Sequence, residues 1–517
     1  MKSTRLWFVT AALCVANTPT LRSQAAVSDS VLRRIWAEGT QRSQLYPLAR
    51  TLLDSIGPRL TGSVEQRAAN AWALEQYRRW QIPARAEQYG RWITWRRGTL
   101  HLDLLAPRVR SLEGMLFAYS PGTNGPVVGP VVARPAAKSA AEFDAWLAQV
   151  RGKFVLEWYG EPSCRPDQDW ATFGKPETVD RFQNERRVAR DSFYTAVRAN
   201  SPRGEDFTRR LENAGALGLI SGLLQPGRWV EGWGVSKLGS ADAQSMIELG
   251  VSCEDYGLLF RLAQWNQGPI LRVNSDAAFE GEVGVANVIA ELRGTAKPNE
   301  YVVLSAHLDS WDAASGATDN GANTVAIMEA MRILKSVYPR PRRSIIAAHW
   351  NGEEQGLNGS SAFGTDHPEI ISGLQVLLNA DNGVGRATRI SMQGFTGAGG
   401  FFRRWLARVP PELSREVQLV DPGTVVGGSD ENSFTCRGAP AFSLEGVPWS
   451  YTTYTWHTNR DTFDKLVFDD LRSNATLLAM LAYLAAEEPE RMPRERLSAL
   501  TIPTCPNPAR DWAHRRR

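Results

Sequence analysis

The chain has 517 residues, which is more than a single hydrophobic core usually supports, so its length predicts more than one domain. The apolar content of 43%, the charged content of 22% and the formal net charge of +4 are ordinary for a globular protein. Nucleic-acid binding needs a concentrated basic face with stacking aromatics, whereas the 18 tryptophans follow no such spacing. The composition therefore argues against a nucleic-acid partner.

The first residues have the pattern of an export signal. Lys2 and Arg5 precede an apolar run at 6–16, and residues 23–25 (Ser-Gln-Ala) offer small side chains for cleavage. The run is well short of the ~20 residues that cross a bilayer, so a membrane anchor is the weaker interpretation. We expect residues 1–25 to be a cleaved signal peptide. The mature chain would then be secreted or periplasmic, without stable membrane insertion.

Export would place the remaining cysteines in an oxidising compartment. Cleavage removes Cys14 and leaves Cys164, Cys253, Cys436 and Cys505. An even number permits disulfides, but the sequence does not choose among the three full pairings. Because no Cys-x-x-Cys pair is present, cysteine ligation of a metal is disfavoured.

Regions of different texture follow the signal. Residues 29–107 are mainly helical in pattern, and a capping box at 63–66 (Ser-Val-Glu-Gln) predicts a helix that runs to about residue 80. Residues 108–272 are rich in Gly and Pro and contain short strand-like segments at 126–133, 152–158 and 216–221.

From 273 to 488, strands alternate with helices, which is the pattern of an α/β layered domain. The predicted strands are 287–292, 301–306, 344–350 and 374–380. A helix predicted at about 323–335 carries one apolar stripe, which we interpret as core packing: Ile327, Met328, Met331 and Leu334. The tail at 489–517 is rich in Pro and Arg, and we expect it to be poorly ordered after Met492.

Acids and histidines follow the ends of successive strands in this last region, where open α/β sheets bind their ligands. Each one alone has a plain structural explanation, such as helix capping or solvated charge. Together they predict a metal site, and the mixture of imidazole and carboxylate suits zinc, although manganese or cobalt would fit similar sites. The residues concerned are His307, Asp309, Asp319, Glu353, Glu354, Asp381 and His457.

Two of the spacings carry a specific chemical meaning. In the His-x-Asp spacing, Asp309 can accept a proton from the far ring nitrogen of a metal-bound His307 and so fix its tautomer. In the adjacent pair Glu353 and Glu354, one carboxylate can bind a cation while its neighbour handles protons.

These motifs, in this order and spacing, resemble the full set of the family-28 zinc metallopeptidases. The runs 307–312 (His-Leu-Asp-Ser-Trp-Asp) and 428–430 (Gly-Ser-Asp) are most similar to the carboxypeptidase branch. The resemblance is strong over 280–485 and weaker over 29–107. It implies the zinc exopeptidase fold, an α/β fold with a mixed central sheet and helices on both faces. Residues 108–272 resemble an inserted, mostly-β protease-associated domain.

The resemblance also implies roles for the site residues. Glu353 would act as general base and acid toward a water that two zinc ions activate, and Asp309 would orient His307. The implied ligands are Asp319 as the bridge, His307 with Asp381 for one zinc, and Glu354 with His457 for the other.

One position departs from the family pattern. Several relatives place a Tyr immediately before the last ligand His, as an extra donor to the oxyanion, whereas this chain has Trp456 there. An indole N–H can donate one hydrogen bond, and Tyr454 is an alternative donor. Ser429 and Asp430 are further candidates for contact with the substrate.

The expected function is hydrolysis of short peptides or dipeptides from one end. A metal-dependent acyl hydrolase or cyclase on the same scaffold is an alternative, although cyclisation predicts lost ligands. An inactive binding protein is another, although such a protein would be expected to lack ligands or Glu353. The sequence does not decide between aminopeptidase and carboxypeptidase or dipeptidase. It also leaves open whether the inserted domain is a substrate lid, a specificity gate or a homodimer contact.

Overall fold

The computed structural model describes residues 29–200, 205–222, 246–424, 428–498 and 504–508. The expected signal peptide lies outside these residues. The strands are β1 Ala84–Arg96, β2 Leu100–Ala106, β3 Arg110–Ser111, β4 Gly114–Leu116, β5 Val127–Ala133, β6 Phe154–Leu156, β7 Gly218–Ser221, β8 Ile247–Val251, β9 Ile270–Ser275, β10 Ala278–Leu292, β11 Lys297–His307, β12 Arg343–Trp350, β13 Leu374–Ala380, β14 Ala387–Ser391, β15 Gln418–Val420 and β16 Ala441–Gly446.

The α-helices are α1 Ser30–Gln41, α2 Leu45–Arg50, α3 Val64–Arg79, α4 Ala140–Leu147, α5 Asp167–Phe173, α6 Pro176–Asn200, α7 Glu205–Ala214, α8 Cys253–Gln264, α9 Ala322–Val337, α10 Asn358–Asp366, α11 Pro368–Gly373, α12 Ala398–Leu406, α13 Pro411–Ser414, α14 Asn432–Thr435 and α15 Phe468–Glu487. Short π-helical turns lie at Thr51–Ile56, Ala317–Gly321 and Tyr451–Thr455, and a 3₁₀ turn lies at Phe463–Lys465.

A mixed eight-stranded sheet, in the order β1-β10-β12-β11-β13-β16-β14-β15, forms the centre of the part that carries the predicted metal ligands. In its middle, β12, β11, β13 and β16 run parallel. Every residue of β12 and β13 is buried, as expected for parallel strands that are covered on both faces. Alternate residues of β11 pack on opposite faces, since Val302 and Leu304 belong to one core cluster and Val303 to another.

Helices cover both faces of this sheet. The larger core cluster packs α1, α9 and α15 against one face, and the smaller cluster packs side chains of α10, α11 and α14 against the other. The predicted α/β fold, with a mixed central sheet and helices on both faces, is therefore confirmed.

The individual elements predicted in this part are also found. The predicted strands correspond to β10, β11, β12 and β13, and the predicted helix corresponds to α9, whose stripe residues are fully buried. Ser63 caps α3 by accepting a hydrogen bond from Gln66 N at 3.0 Å. The mainly helical pattern expected for 29–107 was wrong in its second half, where the chain forms β1 and β2.

A second eight-stranded sheet has the order β3-β2-β9-β5-β6-β7-β8-β4, with β5, β6, β7 and β8 parallel. The three predicted strand segments correspond to β5, β6 and β7. The sheet extends from Leu100 to Ser275 and carries α4 to α8, helices that the sequence did not predict. Cys164 and Cys253 form a disulfide here. Helices α4 to α8 make the part mixed α/β and not mostly β as expected. Its identity as a protease-associated domain stays a prediction.

One core cluster joins the two sheets beside the predicted site. It contains Trp92 of β1 and Val285 of β10 together with Leu104 of β2, Tyr119 after β4, and Trp311. The second sheet therefore packs against β1 and β10 of the central sheet and against Trp311 in the loop after β11.

The described part of the tail is ordered, contrary to expectation. Arg494 donates to the carbonyls of Ile371 and Ser372, and Arg496 donates to those of Thr435 and Gln393. A second disulfide joins Cys436 to Cys505. No described helix is long and apolar enough to cross a membrane.

Candidate metal centre

The predicted ligands meet at the carboxyl edge of the central sheet. His307 ends β11, the Glu353–Glu354 pair follows β12, and Asp381 follows β13. Because these strands run parallel, their carboxyl ends lie at the same edge. The π-helical turn before α9 supplies Asp319, and the loop after the turn Tyr451–Thr455 supplies His457.

Asp319 stands between the two histidines. Its Oδ1 lies 3.2 Å from Nε2 of His307, and its Oδ2 lies 3.2 Å from Nε2 of His457. Asp381 Oδ1 is 3.4 Å from the same atom of His307, and Glu354 Oε2 is 3.0 Å from that of His457. The ligand atoms thus form two groups, each within 4.8 Å, that share Asp319.

The chemistry of this set fits two divalent cations. Among the described residues, Nε2 of His307, Oδ1 of Asp381 and Oε1 of Glu354 are buried without a hydrogen-bond partner. Such groups are destabilising when buried unless they bind something. Burial lowers the pKa of His457, but the surrounding carboxylates outweigh it and raise the pKa to about 9. The negative charge that would attract a proton to the imidazole would equally attract a metal ion.

The turn that carries Asp319 is stabilised by a glycine and by a neighbouring carboxylate. Gly316 has a φ of +59°, and a Cβ there would lie 2.4 Å from Ser310 Cβ, so this position requires glycine. The carboxylate of Asp461 accepts hydrogen bonds from the amides of Thr318 at 2.6 Å and Asp319 at 3.1 Å. This role of Asp461 was not predicted from the sequence.

Asp309 holds several parts of the site together. Its main-chain carbonyl lies 3.0 Å from Nδ1 of His307, whereas its carboxylate is 3.6 Å away. The carboxylate instead accepts hydrogen bonds from the amides of Glu353 and Glu354, both at 3.3 Å, and from Thr61 Oγ1 at 3.1 Å. The carbonyl therefore orients His307, and the carboxylate fixes the loop after β12.

Arg59 is a second residue that the sequence analysis missed. Its guanidinium is fully buried and donates to main-chain carbonyls of the loop between His307 and Asp319, and to Gly57: Leu308 O at 2.6 Å, Ser315 O at 2.6 Å, Gly316 O at 2.9 Å and Gly57 O at 2.9 Å. Burial lowers its pKa to about 10, against the opposing charges of nearby carboxylates that include Asp461 and Asp309. It therefore stays cationic at neutral pH and offsets part of the negative charge of the site.

Glu353 lies near His307, Asp381 and Glu354 but belongs to neither of the two ligand groups. Burial raises its pKa well above the ordinary value; the His307 imidazole opposes this shift, and the charges of Asp381 and Glu354 reinforce it. A carboxyl whose pKa is raised, next to a metal centre, is placed to accept and return a proton.

The aromatic candidates lie in different surroundings. The indole of Trp456 stacks on the His457 ring with centroids 4.0 Å apart, and the Tyr454 ring faces Lys465 at 5.7 Å. Tyr451, which the sequence analysis did not consider, lies among the carboxylates. Burial and the charges of Asp319, among others, raise the pKa of its phenol well above the ordinary value, so it keeps its proton at neutral pH.

The remaining two candidates, Ser429 and Asp430, are buried. Ser429 Oγ accepts a hydrogen bond from Asn379 at 3.1 Å, and Asp430 has no exposed surface. Burial raises the pKa of Asp430 well above its ordinary value. Contact of Ser429 and Asp430 with the substrate stays a prediction.

Comparison with known proteins gives one family and a consistent set of relatives. The model of "Peptidase family M28" matches residues 287–482. Carboxypeptidase Q of Xenopus laevis is 25% identical over 476 residues, covering 88% of each chain. The Rattus norvegicus protein of the same name is 24% identical over 456 residues, with the same coverage.

Solved structures show the same fold. A peptidase M28 precursor from Shewanella amazonensis covers 90% of this chain and 97% of its own, at 20% identity and a TM-score of 0.68. A zinc aminopeptidase from Bacillus subtilis covers 86% of this chain and 94% of its own, at 18% identity and a TM-score of 0.56. The likeness extends over both sheets, since it covers most of each chain.

Proposed function

This chain belongs to peptidase family M28, and we propose that it is an exported two-zinc exopeptidase that hydrolyses short peptides or dipeptides. The observation that carries the proposal is the position of Asp319, whose two oxygens each lie 3.2 Å from the Nε2 of a different histidine. A carboxylate in this position can bridge two cations. The match to a peptidase family supports peptide hydrolysis as the reaction.

The proposed ligands are divided between two zinc ions. Asp319 is shared, His307 and Asp381 complete one site, and Glu354 and His457 complete the other. Imidazole and carboxylate are ordinary zinc ligands, and manganese or cobalt would be accepted by the same set. Zinc ions bound there would polarise the scissile carbonyl and lower the pKa of an attacking water.

The chain's own residues would move the protons. Glu353 accepts the proton of the attacking water and then returns it to the leaving amine. Asp309 holds the amide of Glu353 and keeps the carboxyl in place while it does so. Tyr451 keeps its proton at neutral pH and is our candidate donor to the oxyanion, in place of Trp456 or Tyr454.

Action on a free peptide end is supported by the relatives, which are named as carboxypeptidases and aminopeptidases. Export is supported by the disulfides Cys164–Cys253 and Cys436–Cys505, because disulfides persist in oxidising compartments. The N-terminal signal pattern points the same way.

The test uses purified mature protein and a panel of N-terminal chromogenic amides, free dipeptides and N-blocked peptides. Each substrate is assayed before chelation, after chelation and after zinc is restored. We expect chelator-sensitive turnover of amides or dipeptides, and the preferred substrate will show which peptide end is recognised.

Glu353→Gln is the diagnostic variant. It keeps the size of the side chain but cannot take a proton, so we expect kcat to fall by about 10²–10⁴-fold while zinc content stays at the wild-type value. Glu369→Gln, at an exposed site that pairs with His367, is the matched control and should keep full activity. Full activity in Glu353→Gln would refute its assignment as the general base.

A further inference from the structure

A short segment of the second sheet contacts the loops that contain Arg460 and Thr61, and it reaches the loop of Asp312 through Arg97. It comprises residues 113–119, which include β4 and the residues at either end, and we call it the 113–119 segment. Its own main chain is fixed, because Glu113 N donates to Asp255 Oδ2 at 2.7 Å and Ser252 N donates to Glu113 O at 3.0 Å. These contacts tie it to the start of α8, where Cys253 is held by a disulfide.

The first contact reaches the loop that carries His457. Glu113 Oε1 accepts a hydrogen bond from Arg460 Nη2 at 2.8 Å and lies 3.5 Å from Asn459 Nδ2. His457 itself has a φ of +56°, in the left-handed region that a non-glycine residue adopts only when its surroundings hold it there. The Glu113–Arg460 pair therefore fixes the loop next to a ligand whose backbone needs support.

Two further contacts reach the loops that contain Thr61 and Asp312. Tyr119 donates from its hydroxyl to Thr61 O at 3.2 Å, and Thr61 Oγ1 donates to the Asp309 carboxylate. The carbonyl of Leu116 accepts a hydrogen bond from Arg97, whose guanidinium also pairs with Asp312 in the loop after β11. The segment is thus connected to both groups of ligands.

We propose that the 113–119 segment is a positioning element for the metal centre, and that Glu113 positions His457 through Arg460. The inference rests on the metal centre of the proposed function and assigns part of the second sheet a role in building it. Preorganised ligands bind a metal more tightly than mobile ones, because less freedom is lost on binding.

The exposure of the Glu113–Arg460 pair makes the idea testable. The side chains are 39% and 34% exposed, and ion pairs of that exposure add little to stability. Glu113→Gln should therefore fold normally. Glu280→Gln is a matched control, because Glu280 is 41% exposed and its pair with Arg96, at 3.1 Å, joins β10 to β1.

The experiment is a zinc titration of metal-free protein in competition with a chelator of known affinity. For wild type we expect two bound zinc ions. Glu113→Gln should weaken one of the two by about tenfold, the lower end of the effect of outer-shell partners, and leave the other unchanged. Glu280→Gln should match wild type, and thermal unfolding of the metal-free proteins should coincide.

Arg460→Gln and the double variant complete the test. If Glu113 acts through Arg460, the double variant should bind zinc no more weakly than either single variant. If wild type binds two zinc ions and Glu113→Gln binds both with the same affinities as wild type, this inference alone is overturned. Failure of wild type to bind zinc would overturn the proposed function as well.

Discussion

Asp461→Asn tests whether the turn that holds Asp319 depends on hydrogen bonds to a residue outside the turn. The Asp461 carboxylate is nearly buried and accepts hydrogen bonds from the amides of Thr318 and Asp319, at 2.6 and 3.1 Å. Asparagine has the same shape, but it presents one oxygen and one NH₂ group. The substitution therefore keeps an acceptor for one amide and turns a donor toward the other.

The size of the expected effect follows from the hydrogen bond that the substitution removes. A hydrogen bond to a charged group contributes about 1.5–3 kcal/mol, and one such bond is removed while a buried N–H loses its partner. The main-chain carbonyl of Asp461 still accepts from Ala317 N, so the loops stay joined. We expect the metal-free protein to lose about 2 kcal/mol of stability and zinc to bind about 10–100-fold more weakly.

Zinc competition and denaturant unfolding of metal-free protein measure the two effects separately. Asp464→Asn is the control, since Asp464 lies in the same loop but is 72% exposed and pairs with Lys465. It should change neither quantity. If Asp461→Asn bound zinc within twofold of wild type, Asp461 would not position Asp319 and the reasoning about this turn would be refuted.

The other predictions concern the oxyanion donor and the second sheet. Tyr451→Phe should lower kcat by about 10²-fold if its hydroxyl contacts the oxyanion, whereas Tyr454→Phe should keep a kcat near that of wild type. Equal kcat values for the two variants would remove Tyr451 from the mechanism. Burial raises the pKa of Glu157 to about 7 and that of Glu248 to about 8. Ionising a buried carboxyl destabilises the folded state, so the unfolding midpoint should fall as pH rises from the ordinary Glu pKa of 4.5 to 7–8 and level off above that range. The fall should be smaller in Glu248→Gln, and an unchanged slope would contradict this assignment.

The sequence was informative about the sheet and the ligands because both follow local rules. Short apolar segments between turns predict buried parallel strands, and the ends of such strands meet at one edge. The positions of His307, Asp381 and the glutamate pair after those strands were therefore enough to expect them together. The structure places them as two groups that share Asp319.

The supporting residues could not be found in the same way. Arg59 binds carbonyls near residues 308–316, some 250 positions away in the chain, and its neighbours in sequence give no hint of these partners. Asp461 stands in a polar loop, where an acid is ordinarily solvated. In both cases the meaning of the side chain depends on a long-range contact.

The second sheet and the tail were harder for a different reason. Helix α6 has 25 residues but buries only Phe182, Phe193 and Val197, so its apolar stripe is too sparse to show a helical period. In the tail, Pro and Arg are typical of disordered chain. Here Arg494 and Arg496 donate to carbonyls at the ends of α11 and α14, and these contacts order the segment.

The zinc content of the protein tests the central claim most directly. Metal-free wild type and Asp319→Asn are titrated with zinc, and bound metal is counted after removal of the excess. We predict two zinc ions per wild-type chain and at most one in the variant, because an amide offers one ligand oxygen where the carboxylate offers two. A single ion in wild type, or two tightly bound ions in Asp319→Asn, would contradict a centre bridged by this residue.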